Sequence, residues 1–181
     1  MTEKTLATWS VDEYHRMIEA GILQNRKVEL LTGEIVEMSP ETPIHYSTAK
    51  RDTKYLESLL TGLAEVRFNG PITLKDSEPE PDIAIVRLPE SNYDNRHPEP
   101  EDIFWLIEVS KTSLKKDLEI KASIYATANI REYWVLNLSA NELIVMQNPE
   151  NAEYTSETII RQGVITPLAF PNIQVLVSRL F

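Results

Sequence analysis

The stretch that decides the fold is Ile103-Phe104-Trp105-Leu106-Ile107-Glu108-Val109-Ser110, an apolar run that carries one acid near its end. A second apolar run, Ile83-Ala84-Ile85-Val86, directly follows Asp82. Short, nearly continuous apolar runs are typical of strands that are buried on both faces. Both runs are therefore predicted to be central strands of a sheet, joined by a surface loop that is rich in proline and asparagine.

The pattern outside these two runs predicts helices and further strands on both sides. Toward the N-terminus it predicts a short helix capped by Ser10, a hairpin that turns at Thr32-Gly33, a helix from His45 to Leu63, and strands at 64–69 and 72–74. Toward the C-terminus it predicts a helix from Leu114 to Ala128 with Ser113 as N-cap, strands at 132–138, 143–147 and 153–161, and a short helix or strand at 175–181. This order predicts an α/β fold with a mixed central sheet. Because no linker divides the chain, residues 1–181 are expected to form a single domain.

The composition of the chain excludes several classes of site. With no cysteine among 181 residues, disulfides, cysteine-ligated zinc, iron–sulfur clusters and thiol catalysis are all ruled out. The net charge of −10 argues against a broad nucleic-acid surface, although it leaves room for a local basic site. No apolar stretch is long enough to span a membrane and no signal peptide is recognisable, so a cytoplasmic protein is expected.

Well-known catalytic motifs are also missing from the sequence. It contains no phosphate-binding G-x-x-x-x-G-K-[ST], no dinucleotide-binding G-x-G-x-x-G, no G-x-S-x-G and no H-E-x-x-H. The three histidines, His15, His45 and His97, are so dispersed along the chain that no metal cluster is predicted from them. Carboxylates at the ends of strands remain as the candidates for chemistry.

Asp82 and Glu108 are the carboxylates that stand out, because each adjoins or interrupts an apolar strand. A buried carboxylate is costly unless it is paired or bound to a cation. Mg²⁺ prefers oxygen ligands, so Asp82, Glu108 and the backbone carbonyl of Val109 are candidate ligands of one ion. The alternative is structural: Asp82 caps a turn after proline, and Glu108 forms an ordinary buried ion pair.

The helix that follows Glu108 carries Asp117, Lys121 and Tyr125 at intervals of four residues, which places them on one side. One interpretation puts Lys121 over the carboxylates, where its ammonium would orient a water nucleophile and offset charge on a scissile phosphate. The other makes Asp117 and Lys121 a solvated pair and Tyr125 a core residue.

These residues together resemble a known group of nucleases. Pro81-Asp82 followed by Glu108-Val109-Ser110 is similar to the PD-(D/E)xK restriction-endonuclease-like superfamily, with Ser110 at the usual lysine position and Lys121 as the displaced lysine. More closely, residues 7 to 138 resemble the Uma-two family of endonucleases. The segments that carry this resemblance are 11–14 (VDEY), 26–35 (RKVELLTGEI), 78–82 (EPEPD), 108–110 (EVS), 117–126 and 131–134 (REYW).

The resemblance implies a restriction-endonuclease-like fold, extended by an N-terminal helix and hairpin, and roles for particular residues. Asp82 and Glu108 would bind Mg²⁺ or Mn²⁺, and Lys121 would be the catalytic lysine. Glu29 would assist metal binding, unless it is an exposed acid of the hairpin. His45 would contact phosphate, unless it merely begins a helix.

The sequence departs from the family after Ser110, where members often have aspartate and this chain has Lys111. The local segment has a net charge of +1 and is a candidate contact for a phosphate backbone, although a solvated loop at the start of the helix is the plainer explanation. Its charged residues are Lys111, Lys115, Lys116 and Lys121 against Glu108, Asp117 and Glu119.

The leading hypothesis is a metal-dependent endonuclease that hydrolyses DNA, and two alternatives from other classes stay open. One is a nuclease fold without catalysis that binds nucleic acid or protein, which the acidic charge favours. The other is a glycosidase that uses Asp82 and Glu108 as an acid and base without metal. A homodimer would suit an enzyme that cleaves both strands of a duplex.

Overall fold

A six-stranded mixed sheet, in the order β3-β4-β5-β6-β7-β8, forms the centre of the computed structural model, which describes residues 6–181. β5 and β6 are parallel, and all other neighbours are antiparallel. The parallel pair requires a crossover connection, and the helix after β5 supplies it. The strands are β3 Glu65–Phe68, β4 Ile83–Val86, β5 Ile103–Ser110, β6 Glu132–Asn137, β7 Glu142–Glu150 and β8 Glu153–Ile160. The predicted α/β class and mixed sheet are confirmed.

Alternate residues of the central strands face two different cores. Ile83, Ile85 and Trp105 pack with helix α2 (Pro43–Leu60) and the C-terminal segment, whereas Ala84 and Leu106 pack with helix α3 (Ala122–Thr127). Because both faces of the strands are covered, β4 and β5 read as continuous apolar runs. Glu108 shares the face of Leu106, which directs it toward α3.

Helix α1 (Val11–Glu19) and the hairpin β1 (Val28–Leu31) and β2 (Glu34–Glu37) pack at the side of this sheet. Thr32 and Gly33 both have positive φ, as the predicted two-residue turn requires. A Cβ on Gly33 would lie 2.7 Å from Thr8 Cβ, so no larger residue fits there. The Gly33 N–H donates to Asp76 O at 2.8 Å, which fixes the hairpin against the segment that leads into β4.

The crossover connection is helical from residue 114 to 127, but Lys116–Lys121 form a π-helical turn within it. The Ala122 N–H donates to Asp117 O, five residues back, rather than four. A π turn widens the helix and rotates the residues that follow it, and such turns often occur at functional sites. The predicted helix from Leu114 to Ala128 is therefore correct in extent, but its regular four-residue spacing is wrong.

Three further boundaries differ from the predictions. Helix α2 begins at Pro43 rather than His45, because the Thr42 side chain caps it, and it ends at Leu60. Residues 72–74 are not a strand, since their N–H groups donate to separate loop carbonyls of Pro79, Pro98 and Ser77. The C-terminal segment contains both of the predicted types, one after the other. Strand β10 (Val175–Leu176) pairs with β9 (Val164–Ile165), and a 3₁₀ turn follows at Val177–Arg179. Within residues 6–181, no helix has the length and apolar character needed to cross a bilayer.

Candidate active site

A cavity of about 100 Å³ lies where β4 begins, β5 ends and the first turn of α2 approaches them. Its lining is rich in charged side chains of both signs. The acids are Glu29, Glu41, Glu80, Asp82, Glu108 and Asp117, and the bases are Lys27, His45, Lys111, Lys116 and Lys121. The residues predicted from the sequence therefore meet at one cavity, apart from Tyr125, which reaches it through Glu108.

Asp82 lies at the start of β4, where the antiparallel register pairs Ile83 with Ile107 and so sets Asp82 beside the end of β5. Its Oδ2 atom accepts a hydrogen bond from the Val109 N–H at 2.6 Å. His45 Nε2, on the first turn of α2, lies 3.1 Å from the same oxygen. The hydrogen bond to Asp82 raises the pKa of His45 above its usual value, although burial opposes this shift.

Glu108 is buried on β5, with 4% of its surface exposed. Its Oε1 atom accepts hydrogen bonds from Lys121 Nζ at 2.7 Å and from the Tyr125 hydroxyl at 2.9 Å. Burial raises the pKa of Glu108 well above its usual value, while Lys121 partly offsets that shift. Glu108 is thus a buried carboxylate whose charge Lys121 offsets only in part.

Lys121 lies between two acids, because its Nζ atom is also 3.7 Å from Glu29 Oε2. Burial lowers its pKa, but Glu108, Glu29 and the neighbouring aspartates outweigh that cost, so the pKa of Lys121 is raised. Lys121 is therefore a permanently charged ammonium in this setting. Lys116, from the same π turn, pairs with the other oxygen of Glu29.

Asp117 belongs to a chain of hydroxyl contacts that begins at the end of β5. Ser110 Oγ lies 3.3 Å from Ser113 Oγ, which in turn donates to Asp117 Oδ2 at 2.6 Å. Burial is the main cause of the raised pKa of Asp117, and Lys121 and these hydroxyls lower it. This chain anchors the π turn to the strand that carries Glu108.

The donor set fits a hard divalent cation. Four carboxylates at the cavity are buried, Glu29, Asp82, Glu108 and Asp117, against two ammonium groups that reach them, those of Lys116 and Lys121. Among the hydrogen bonds of residues 6–181, none engages Asp82 Oδ1 or Glu108 Oε2. Oxygen atoms with surplus negative charge at a cavity are the ligands that Mg²⁺ and Mn²⁺ prefer.

Several alternatives from the sequence are wrong. Glu29 is not an exposed hairpin acid, since 1% of it is exposed. Asp117 and Lys121 are not a solvated pair, because both are buried and Lys121 pairs with Glu108 instead. The expected basic patch is also not a uniform surface, because Lys116 and Lys121 are turned inward to acids.

Sequence reasoning missed Glu80 and Lys27 at the cavity. Glu80 is half-buried, and burial together with Glu29 raises its pKa. Its backbone N–H donates to Glu29 Oε2 at 3.4 Å. A signal was present in the sequence, because Glu80 precedes Asp82 by only two residues.

The histidines are dispersed in the sequence, but the fold brings two of them together. His15 and His97 lie together with Glu78, and one ligand atom from each of the three falls within 4.8 Å of the others. This group lies outside the lining of the cavity described above. Its members come from distant parts of the chain, so their spacing in sequence carries no signal.

A known protein family matches most of this chain. The family model described as "Uma2: Putative restriction endonuclease" matches residues 11–178. The chain belongs to the Uma2 family. No match was found among curated proteins. A solved structure titled as a putative nuclease belonging to DUF820, from Anabaena variabilis, resembles this Uma2 chain with a TM-score of 0.71.

The likeness to the Anabaena variabilis structure covers 95% of this chain and 97% of that one, at 15% sequence identity. At this identity the likeness is one of fold. The shared α/β fold is consistent with the restriction-endonuclease-like architecture that the sequence resemblance implied, and the predicted N-terminal helix and hairpin are present in this chain.

Proposed function

We propose that this Uma2 protein is a divalent-metal-dependent endonuclease that hydrolyses phosphodiester bonds in DNA. The observation that carries the proposal is the pair Asp82 and Glu108 at one cavity, each with an unengaged carboxylate oxygen and with a charged lysine 2.7 Å from Glu108. Membership of a family described as restriction endonucleases supports the same class of reaction.

Asp82, Glu108 and the backbone carbonyl of Val109 would hold the metal. In an extended strand the N–H and C=O of one residue point to the same neighbour. Because the Val109 N–H donates to Asp82, its carbonyl is directed to the same edge of β5. When bound there, Mg²⁺ or Mn²⁺ supplies an acidified water and offsets negative charge on the phosphate.

Lys121 is proposed to position the attacking water and stabilise charge, not to accept its proton. Its pKa is raised, so the ammonium has no free lone pair with which to act as a base. A buried cation aimed at developing negative charge acts more strongly than the same cation in water. The π turn brings Lys121 to Glu108. In this proposal Lys121 takes the place of the lysine that the PD-(D/E)xK pattern usually has on the strand, where this chain has Ser110.

The remaining predicted residues have positioning roles in this proposal. Glu29 holds both Lys116 and Lys121, and Tyr125 fixes one oxygen of Glu108. His45 orients Asp82. Asp117 secures the π turn through Ser113.

DNA is the proposed substrate because exposed cations flank the acids. Lys27 and Lys111 line the cavity, are exposed, and have no ion-pair partner among residues 6–181. Exposed lysines at the mouth of such a site suit contacts to phosphates on either side of the cleaved bond. A homodimer and a cytoplasmic location stay predictions from the sequence.

The direct test is a cleavage assay with supercoiled, linear and single-stranded DNA in Mg²⁺, in Mn²⁺ and in EDTA. Wild type is compared with Glu108→Gln and Lys121→Met. The matched controls are Glu57→Gln and Lys54→Met, which change exposed residues of α2 to the same side chains. We expect metal-dependent cleavage by wild type and both controls, and its loss in both site variants.

Two results would contradict the proposal. One is cleavage that survives EDTA, or that Glu108→Gln and Lys121→Met retain. The other is the absence of cleavage in every metal by a folded protein, which would favour the binding module without catalysis.

A further inference from the structure

The cluster of His15, Glu78 and His97 joins three separate parts of the fold. His15 lies on α1, Glu78 on the segment that leads into β4, and His97 on the loop between β4 and β5. His15 Nε2 lies 2.6 Å from Glu78 Oε2, and the two imidazole rings face each other edge-on with centroids 6.3 Å apart. Glu78 is buried, whereas both histidines are half-exposed, so an ion can reach the cluster from solvent.

The donor chemistry of this cluster suits a transition-metal ion rather than Mg²⁺. Two imidazoles and one carboxylate form a common three-residue set for Zn²⁺, with a fourth position left for water. With Zn–N and Zn–O bonds of about 2.0–2.2 Å, tetrahedral ligands lie roughly 3.4 Å apart. The ligand atoms lie within 4.8 Å of one another, and His15 Nε2 and Glu78 Oε2 lie 2.6 Å apart. An ion between them requires these two atoms to separate by about 0.8 Å and the half-exposed His97 to adjust its distance to both.

Contacts around the cluster hold its members in place. The Thr73 hydroxyl donates to Glu78 Oε2 at 2.8 Å, and the Thr73 N–H donates to Pro98 O at 2.9 Å, next to His97. The Glu78 N–H donates to Leu30 O of β1 at 2.7 Å. A carboxylate oriented by a neighbouring hydroxyl is typical of a built metal site, in which outer partners set the ligands.

We propose that His15, Glu78 and His97 bind one Zn²⁺ ion, which fastens α1 and the β4–β5 loop to the edge of the fold. Each ligand comes from a different element, so an ion bound here would cross-link α1, the segment before β4 and the β4–β5 loop.

The zinc site is separate from the proposed nuclease site but near to it. Glu78 and Asp82 belong to one segment, and four residues span at most about 14 Å. The two sites differ in chemistry, with imidazole at one and only oxygen ligands at the other. The zinc proposal does not depend on nuclease activity, because its ligands are not those of Asp82 and Glu108.

Zinc binding is tested by calorimetric titration of ZnCl₂ into the full chain in which Asp82→Asn and Glu108→Gln have removed the nuclease ligands. In that background we expect one Zn²⁺ per chain. His15→Asn and His97→Asn should each weaken the affinity at least about 100-fold, whereas Glu19→Gln, an exposed acid on α1, should not change it. Titration with Co²⁺ should give visible d–d bands of nitrogen-ligated tetrahedral cobalt.

The proposal is overturned if the Asp82→Asn/Glu108→Gln protein binds no Zn²⁺, or if His15→Asn and His97→Asn bind it as tightly as their parent. Either histidine variant suffices for the test, because both side chains are half-exposed and neither fills a core. Loss of DNA cleavage alone has no bearing on this result, so failure of the nuclease proposal and failure of the zinc proposal are distinguishable.

Discussion

The candidate active site and the histidine cluster share the segment 78–82, which supplies Asp82 to the cavity and Glu78 to the cluster. The two sites differ in how the charge of their buried carboxylates is balanced. At the cavity, buried carboxylates outnumber the lysines that reach them. At the histidine cluster, one buried carboxylate is paired with imidazole and with a hydroxyl. We propose that the first binds a hard cation and a charged substrate, and that the second binds a borderline metal.

This difference teaches how one short segment serves two purposes. Glu80 and Asp82 face the cavity, whereas Glu78 faces α1 and the β4–β5 loop. Prolines at 79 and 81 fix the backbone between them. The segment therefore fixes the position of one side of the proposed nuclease site relative to helix α1.

The largest expected effect comes from Glu108→Gln. It should lower metal-dependent cleavage about 1,000-fold or more, since loss of a metal ligand removes several kcal/mol of transition-state stabilisation. Because Glu108 is the buried ion-pair partner of Lys121, the neutral amide should also lower the melting temperature of the metal-free protein. Cleavage rates test the expected loss of activity, and calorimetric melting in EDTA tests the expected effect on stability. Retained cleavage would contradict the assignment of Glu108 as a metal ligand.

Lys121→Met should lower cleavage about 100- to 1,000-fold, the usual range for removing one preorganised electrostatic group. Metal binding should persist, because Lys121 is proposed to act on water and phosphate rather than to hold the ion. Single-turnover rates at saturating Mn²⁺, with Lys54→Met in parallel, measure this effect. Equal rates in the two variants would assign Lys121 a structural role only.

Asp52 on α2 is a third case of a buried carboxylate, and it belongs to neither site. Neither oxygen has a hydrogen-bond partner among residues 6–181, and burial raises its pKa to about 8, although Arg51 partly opposes this. An acid whose pKa is raised on folding stabilises the protein at low pH and loses that contribution as pH rises from about 4 to 8.

Asp52→Asn should therefore remove part of the pH dependence of stability. Relative to wild type, its free energy of unfolding should rise by up to about 5 kcal/mol between pH 4 and pH 8. Urea unfolding at several pH values measures this difference, with Glu57→Gln as an exposed control on the same helix. A constant difference across that range would show that Asp52 is ionised at no cost in the fold.

Thr73→Val carries the smallest expected effect and addresses only the histidine cluster. Loss of the hydroxyl that orients Glu78 should weaken Zn²⁺ binding about 10- to 100-fold, as expected for an outer partner of a metal ligand. Zinc titration of the Asp82→Asn/Glu108→Gln protein with and without this change provides the measurement. Thr73→Ser, which keeps the hydroxyl, should restore the affinity, and failure to do so would contradict the positioning role.

The two sites also differ in how far sequence reveals them. Asp82 and Glu108 were identified from sequence because acids that adjoin or interrupt apolar strands are costly without a reason. The fold class followed from the same two runs. Lys121 was found by its position after Glu108, but the π turn that delivers it was not, because its residues are ordinary helix formers.

The burial of Glu29 and the pairing of His15 with His97 escaped prediction for a common physical reason. Both depend on how the hairpin and α1 pack against the segment before β4, and long-range packing leaves no trace in local spacing. The sequence therefore predicts the residues that strands carry to a sheet edge better than those that distant elements bring together.

The most direct test of the account is a crystal structure with anomalous diffraction from crystals grown in Mn²⁺ and Zn²⁺. We predict manganese at Asp82, Glu108 and the Val109 carbonyl, and zinc at His15, Glu78 and His97, each identified at its own absorption edge. Manganese absent from the cavity, or both metals at one site with the other site empty, would contradict the central claim that this fold holds two metal sites of different chemistry.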